Sequence, residues 1–181
     1  MEKRMETATL AAGCFWCIEA VFQRLEGVED IISGFTGGVI KNPPYREVVQ
    51  GRTGHAEAIQ FKFDPVITSY EEILKVFFAT HDPTTLNRQQ NDVGPQYRSA
   101  IFYHNDEQKQ TAERVKEELN QEIYDNKIVT EISPAKAFYN AEEIHRNFYN
   151  RNPQQPYCQI IINPKLEKLK ESFSHKLKPA F

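Results

Sequence analysis

The sequence predicts an α+β domain of two layers, and three observations carry this. Strand-like and helix-like segments are mixed along the chain without the strict alternation of a doubly wound sheet. The length of 181 residues suits one domain, and 40% apolar residues suffice for a core. No internal repeat, low-complexity tract or linker divides the chain, so residues 1–181 are expected as a single domain with a core over about 7–169 and a tail over about 170–181.

The elements follow in order. Residues 7–12 are short and apolar and predict a strand. Ile18, Val21, Phe22 and Leu25 then follow helical spacing, with Gly27 as a stop. The stretch Gly13-Cys14-Phe15-Trp16-Cys17 therefore sits where a strand hands over to a helix. Residues 28–35 predict a second strand, ended by Thr36-Gly37-Gly38. Asn42-Pro43-Pro44-Tyr45 is irregular, because consecutive prolines remove two N–H donors. Residues 55–63 alternate as a strand does, with Ala56, Ala58 and Gln60 on one face and Glu57, Ile59, Phe61 and Phe63 on the other. His55 is assigned a structural role on the face away from Glu57.

Ser69 and Glu72 match a capping box, opening a helix whose apolar stripe is Ile73, Leu74, Phe77 and Phe78. It stops near His81-Asp82-Pro83. Residues 84–96 form a long polar loop, of the length that is usually functional or disordered. Residues 98–103 predict a strand, 106–120 a charged surface helix, 129–132 a short strand and 141–149 a helix. Residues 159–162 predict a last strand and 164–176 a last amphipathic helix.

Composition excludes several function classes. The net charge is -3 with both signs scattered and no basic run, so no nucleic-acid or anionic-membrane partner is expected. No apolar segment approaches the roughly 18 residues that span a bilayer. The start, MEKRMETATLAAG, has no apolar h-region, so no signal peptide is expected and the cytoplasm is the expected compartment. Three cysteines then point to a reactive thiol rather than a disulfide framework.

Two of those cysteines flank the chain's one tryptophan in GCFWC. Cys14 follows a glycine at a predicted helix start, where unpaired N–H groups and the helix dipole favour an anion. A thiolate there can fall from about 8.5 into roughly the 3.5–7.5 range, which makes Cys14 a nucleophile at neutral pH. Phe15 and Trp16 are either core or the walls of an apolar pocket beside the sulfur. Cys14 and Cys17 also have the spacing of a dithiol redox pair, although two aromatics between the thiols are unusual for one. A zinc site would need Cys158 and a histidine to complete four ligands, because no second close pair exists. No metal is expected.

Four stretches in this order carry a resemblance: GCFW (13–16), NPPYREV (42–48), HAE (55–57) and NDVGPQYRS (91–99). Together they closely resemble the peptide methionine sulfoxide reductase A family, over about residues 7–169. The resemblance implies a two-layer αβ plait, ferredoxin-like, around a mixed sheet. It implies reduction of methionine S-sulfoxide, in proteins and possibly free, back to methionine: protein repair after oxidative damage. By this resemblance Cys14 attacks the sulfoxide sulfur and Glu57 donates a proton to its oxygen, a role that calls for a carboxyl raised by burial. Tyr45 and Tyr97 match the family's pair that hydrogen-bonds that oxygen. Asp92 matches its nearby aspartate, and Phe15 and Trp16 match its pocket for the substrate methyl.

In the chemistry this resemblance implies, oxygen transfer leaves a sulfenic acid on Cys14. A second thiol condenses with it to a disulfide, which thioredoxin, or dithiothreitol in vitro, reduces. The commonest family pattern has glycine in place of Cys17, and this chain lacks the glycine-rich tail with an extra recycling cysteine. Cys17 and Cys158 are the two candidates for the second thiol. The family position favours Cys158, while Cys17 is near in sequence but needs distortion of a regular first turn to bond Cys14. No bound cofactor is implied, the partners are thioredoxin and oxidised proteins, and a monomer is expected. The alternative reading is a general CxxC dithiol-disulfide oxidoreductase.

Overall fold

In the computed structural model, which describes residues 4–179, β1 (Glu6–Ala12) runs through the interior of a six-stranded sheet. The first three and last two residues, where the expected start and the end of the expected tail fall, lie outside the described residues. After β1 come α1 (Phe15–Phe22), β2 (Val28–Thr36), α2 (Tyr45–Val48), β3 (Ala56–Phe63) and α3 (Tyr70–Ala79). The small hairpin of β4 (Arg88–Gln89) and β5 (Asp92–Val93) follows, then β6 (Ser99–Tyr103), α4 (Asp106–Glu122), β7 (Glu131–Pro134) and β8 (Tyr139–Asn140). The chain ends through α5 (Phe148–Arg151) and α6 (Asn163–Phe173).

The sheet order is β7-β6-β1-β3-β2-β8. β6 and β7 pair parallel and every other neighbour is antiparallel, so the domain is α+β with a mixed sheet. Alternation divides the strands between two apolar clusters. Leu10, Ile59, Phe61, Phe63 and Ile101 join the main core with α1, α3 and α6. Ala11, Ala56, Ala58, Ala100 and Phe102 form a smaller cluster under Ala135 and Phe138. Glu57 shares the parity of Ile59 and therefore enters the main core. The capping box at Ser69 and Glu72 forms in both directions, at 3.1 and 3.0 Å, a device worth about 1 kcal/mol.

Four expectations need correction. Residues 84–96 are not a structureless loop: β4 and β5 fold it back on itself, and a 3₁₀ turn (Pro95–Tyr97) closes it. The strand expected at 129–132 starts later, at Glu131, because the Val129 amide is spent on the Pro83 carbonyl at 2.8 Å. The helix expected over 141–149 is broken into a 3₁₀ turn (Glu143–His145) and α5, because Asn147 takes a left-handed conformation at φ 53°. The strand expected at 159–162 is a π-helical turn (Cys158–Ile162) running into α6. Its buried residues are Cys158 and Ile162, a helical spacing, while Ile160 is exposed. Pro164 has no amide for the Ile160 carbonyl four residues back, and the helix widens there.

Candidate active site

The pairing Leu10↔Ile59, continued two residues, brings Ala12 level with Glu57 just before the chain turns. Gly13 makes that turn at φ 88°, and a Cβ on it would meet the Gln89 side chain at 2.7 Å. Only glycine fits on both counts. Cys14 follows at φ -57°, ψ 127°, outside the helix, and α1 begins at Phe15.

The first amide of α1 does not go to a thiolate. Phe15 N–H donates to Glu57 Oε1 at 3.2 Å, while Glu57 Oε2 is buried without a hydrogen-bond partner. Burial, assisted by Asp92 and Cys17, raises the Glu57 carboxyl from 4.5 to about 8 despite that amide. At neutral pH the acid form therefore dominates, and the partnerless oxygen is the natural seat of its proton.

Cys14 departs from the expected low pKa. Burial, then a hydrogen bond to Cys17, then the Glu57 charge raise its thiol well above the usual range, and the Trp16 amide only partly offsets them. Cys17 moves the other way: the hydrogen bond from Cys14 lowers it, with Lys165 and the Tyr157 hydroxyl assisting. The helix-start argument fails here because Cys14 is 7% exposed and faces an acid, so desolvation outweighs one amide.

Tyr45 opens α2 after Pro44, and Tyr97 ends the 3₁₀ turn before β6. Both are half-buried, and burial followed by the Glu57 charge pushes both phenols up, so they stay protonated donors. Each also feels Cys14 and Asp92, so these five residues share one electrostatic neighbourhood. Asp92, on β5, accepts from the Tyr157 hydroxyl at 2.8 Å. The same hydroxyl lies 3.5 Å from Cys17 Sγ.

The aromatics divide. Phe15 is 0% exposed, with its ring against Phe35, Tyr45 and His145. Trp16 is half-buried, stacked on Phe148 at 3.8 Å, and its indole N–H donates to His145 Nδ1 at 3.2 Å. Cys158 is 0% exposed in the π-helical turn, where its thiol is raised by burial and by the Cys17 charge. All three cysteines are free. His55 is buried, accepting from the Gly38 amide at 3.0 Å and bonding the Ile40 carbonyl at 2.6 Å, a structural tie.

Three residues escape the sequence reading: His145, Tyr157 and Lys165. Nothing in the local pattern singles out His145 or Tyr157, because both belong to irregular turns. Lys165 left a signal. It falls with Ile162, Leu166 and Leu169 on the apolar stripe of the last helix, an unusual place for a lysine.

A family model described as peptide methionine sulfoxide reductase matches residues 6–177. The peptide methionine sulfoxide reductase MsrA 1 of Rhodopirellula baltica is 57% identical over 173 residues, covering 96% of this chain and 90% of that one. The crystal structure of Mxr1 from Saccharomyces cerevisiae in reduced form superposes with a TM-score of 0.79 at 36% identity, covering 86% of this chain and 90% of that one. Mxr1 has also been solved in complex with Trx2; that structure gives a TM-score of 0.56 at 30% identity over 77% of this chain and 83% of that one. The chain belongs to the peptide methionine sulfoxide reductase family.

Proposed function

We propose that this methionine sulfoxide reductase uses Cys14 as nucleophile and Glu57 as proton donor, acts on the S-sulfoxide, and recycles through Cys17. The single observation that carries the reading is the buried Glu57 carboxyl, held protonated to about pH 8 and hydrogen-bonded to the residue after Cys14. An oxide is a poor leaving group, so the sulfoxide oxygen needs a proton as its sulfur is attacked. Glu57 gives that proton, and the thiol proton of Cys14 passes back to the carboxylate. The Cys14 sulfur takes the oxygen, so that thiol plus sulfoxide become sulfenic acid plus thioether. Tyr45 and Tyr97 donate to the oxygen, Asp92 holds Tyr157 in place, and the Trp16 ring, with Phe15 behind it, receives the methyl group. Simple disulfide exchange releases no oxygen and so has no use for the Tyr45 and Tyr97 donors gathered beside that acid, which argues against a general dithiol oxidoreductase.

Recycling then joins Cys14 to Cys17 with loss of water. The mutual influence of the two thiols on each other's ionisation supports this choice, as does the non-helical ψ of Cys14, which frees it from first-turn spacing. Cys158, buried in its π-helical turn, feels the Cys17 charge but is not among the groups that act on Cys14. Thioredoxin reduces the disulfide, a role consistent with the Mxr1 complex with Trx2.

The test uses pure methionine S-sulfoxide with dithiothreitol as reductant. Cys14→Ser is expected to lose all turnover, and full activity would overturn the reading. After one equivalent of sulfoxide without reductant, peptide mass mapping is expected to find Cys14 joined to Cys17. A Cys14–Cys158 peptide would assign recycling to Cys158 instead.

A further inference from the structure

Lys165 is a long cation on an apolar helix face, yet only 9% of it is exposed. Burying an ammonium is costly unless something holds it. One hold is a hydrogen bond from its Nζ to the Thr80 carbonyl at 2.9 Å. The other lies across a small cavity walled by Lys165, Cys17, Ala12, Ile18, Val21 and His81. That cavity measures about 10 Å³, room for at most about one water. Little solvent screens the ammonium from the Cys17 sulfur, and a charge pair acts strongly across such a gap.

We propose that Lys165 is a positioning residue for recycling: its ammonium holds Cys17 as the sulfur anion that attacks oxidised Cys14. The inference rests on the reading of Cys17 as the recycling thiol. Its force comes from what oxidation of Cys14 removes. In the resting site Cys17 is favoured as an anion first by the hydrogen bond from the Cys14 thiol. A sulfenic acid has exchanged that S–H for an S–O–H, whose hydroxyl is the group that must leave, so support from the Cys14 side weakens when the anion is needed.

The other groups facing Cys17 do not replace it. Asp92 on β5 and Glu57 on β3 oppose a negative sulfur when ionised, and the Cys158 thiol is itself raised by the Cys17 charge. Tyr157 brings one neutral hydroxyl, shared with Asp92. His81, after α3, is neutral: burial lowers it to about 3, and its Nδ1–H goes to the Phe77 carbonyl while Nε2 accepts from Ser99. Lys165 is the cation that remains. Burial lowers its own titration; Cys17 and then Cys14 oppose that by favouring its charged form, and Lys168 and Asp82 pull in opposite directions.

The step balances. The Cys17 anion attacks the Cys14 sulfur, the S–S bond forms, the S–O bond breaks, and the departing hydroxide takes a proton to leave as water. No electrons enter, because the sulfenic acid is the oxidant.

The test compares the parent with Lys165→Met and Lys165→Arg in two settings. In a Cys14→Ser, Cys158→Ser protein, Cys17 is the sole thiol, and its ionisation is followed by ultraviolet absorbance against pH. Lys165→Met is expected to raise the midpoint by about one pH unit or more, and Lys165→Arg to restore most of it. In Cys158→Ser protein, disulfide closure is timed after one equivalent of sulfoxide. Each pH unit removes about tenfold of the anion while higher basicity returns about threefold, so closure at pH 7 should slow about threefold or more. Oxygen transfer itself should keep its rate. An unchanged midpoint, or a slowing of both steps alike, would overturn the proposal. Mapping the disulfide in the unmutated chain tests the reading beneath it separately: a Cys14–Cys158 product fails that reading whatever the titration shows. If Lys165→Met does not fold, Lys165→Gln keeps a donor for Thr80 and carries the same comparison.

Discussion

Two regions meet at Cys14, and they are built in opposite ways. On one side, β1, the Gly13 turn, α1 and β3 place Cys14 against Glu57 by regular register and a single hydrogen bond. On the other, residues 141–165 supply His145, Tyr157 and Lys165 from a 3₁₀ turn, a loop, a π-helical turn and the head of α6. The first side holds the reacting acid and sulfur. The second packs His145 and Phe148 against Trp16 and sets Tyr157 and Lys165 around Cys17. Oxygen transfer needs atoms held still, and the paired ends of two central strands do this well. Disulfide closure and its reversal need the groups packed around the sulfurs to shift, which short irregular turns allow more readily.

The comparison breaks hardest at Glu57. Glu57→Gln should lower kcat by about 10²–10⁴-fold with little change in KM, measured by steady-state reduction of S-sulfoxide. In the unmutated enzyme, kcat should fall as pH rises through about 8, where Glu57 gives up its proton. Stability should move against activity. The unfolded carboxyl ionises near 4.5 and the folded one near 8, so the unfolded state gains from ionisation first and folding stability falls with pH across that window. Glutamine lacks this loss. Melts of the two proteins should therefore diverge between those pH values, reaching on the order of 4 kcal/mol in favour of Glu57→Gln.

Gly13→Ala tests the mechanical basis of the same side. A left-handed backbone and a 2.7 Å approach to Gln89 should cost about 1–3 kcal/mol in denaturant unfolding, with a matching loss of kcat from misplaced Cys14. Tyr157→Phe tests the other side and should do least. Losing one hydroxyl shared by Cys17 and Asp92 should slow turnover about two- to tenfold. Rapid-quench measurement should find the first oxygen transfer unaffected. Slowing of that first transfer instead would erase the distinction between the two regions.

Legibility in the sequence followed the same division. Alternation in β3 put Glu57 among Ile59, Phe61 and Phe63, and the handover from strand to helix at Gly13 was readable from residue types alone. The capping box at Ser69 needed two residues and no tertiary information. Residues 159–162 misled because Ile160, Ile161 and Ile162 favour strands locally, whereas Pro164 and the burial of Cys158 and Ile162 impose a helix. The low pKa expected of Cys14 misled for a related reason. A helix start is a local feature, but the burial and the Glu57 charge that oppose it come from residues far along the chain.

The end of the described chain carries a mechanical consequence. Leu177 bridges to Leu25, Glu26 donates to the Lys176 carbonyl at 2.9 Å, and Lys178 donates to the Arg24 carbonyl at 2.8 Å. At the other end of the same segment, Tyr139 and Asn140 are laced to β2. Everything from His145 to Lys165 is thus an arch with both feet pinned, one beside the sheet edge and one behind α1. The span is also tied along its length, by Phe148 N–H to Glu19 at 3.3 Å, Arg24 to Asn150 at 3.1 Å and the Tyr157 hydroxyl to Asp92 at 2.8 Å. A reductant meets a tethered span rather than a loose end, with Tyr157 and Lys165 anchored to Asp92 and Thr80.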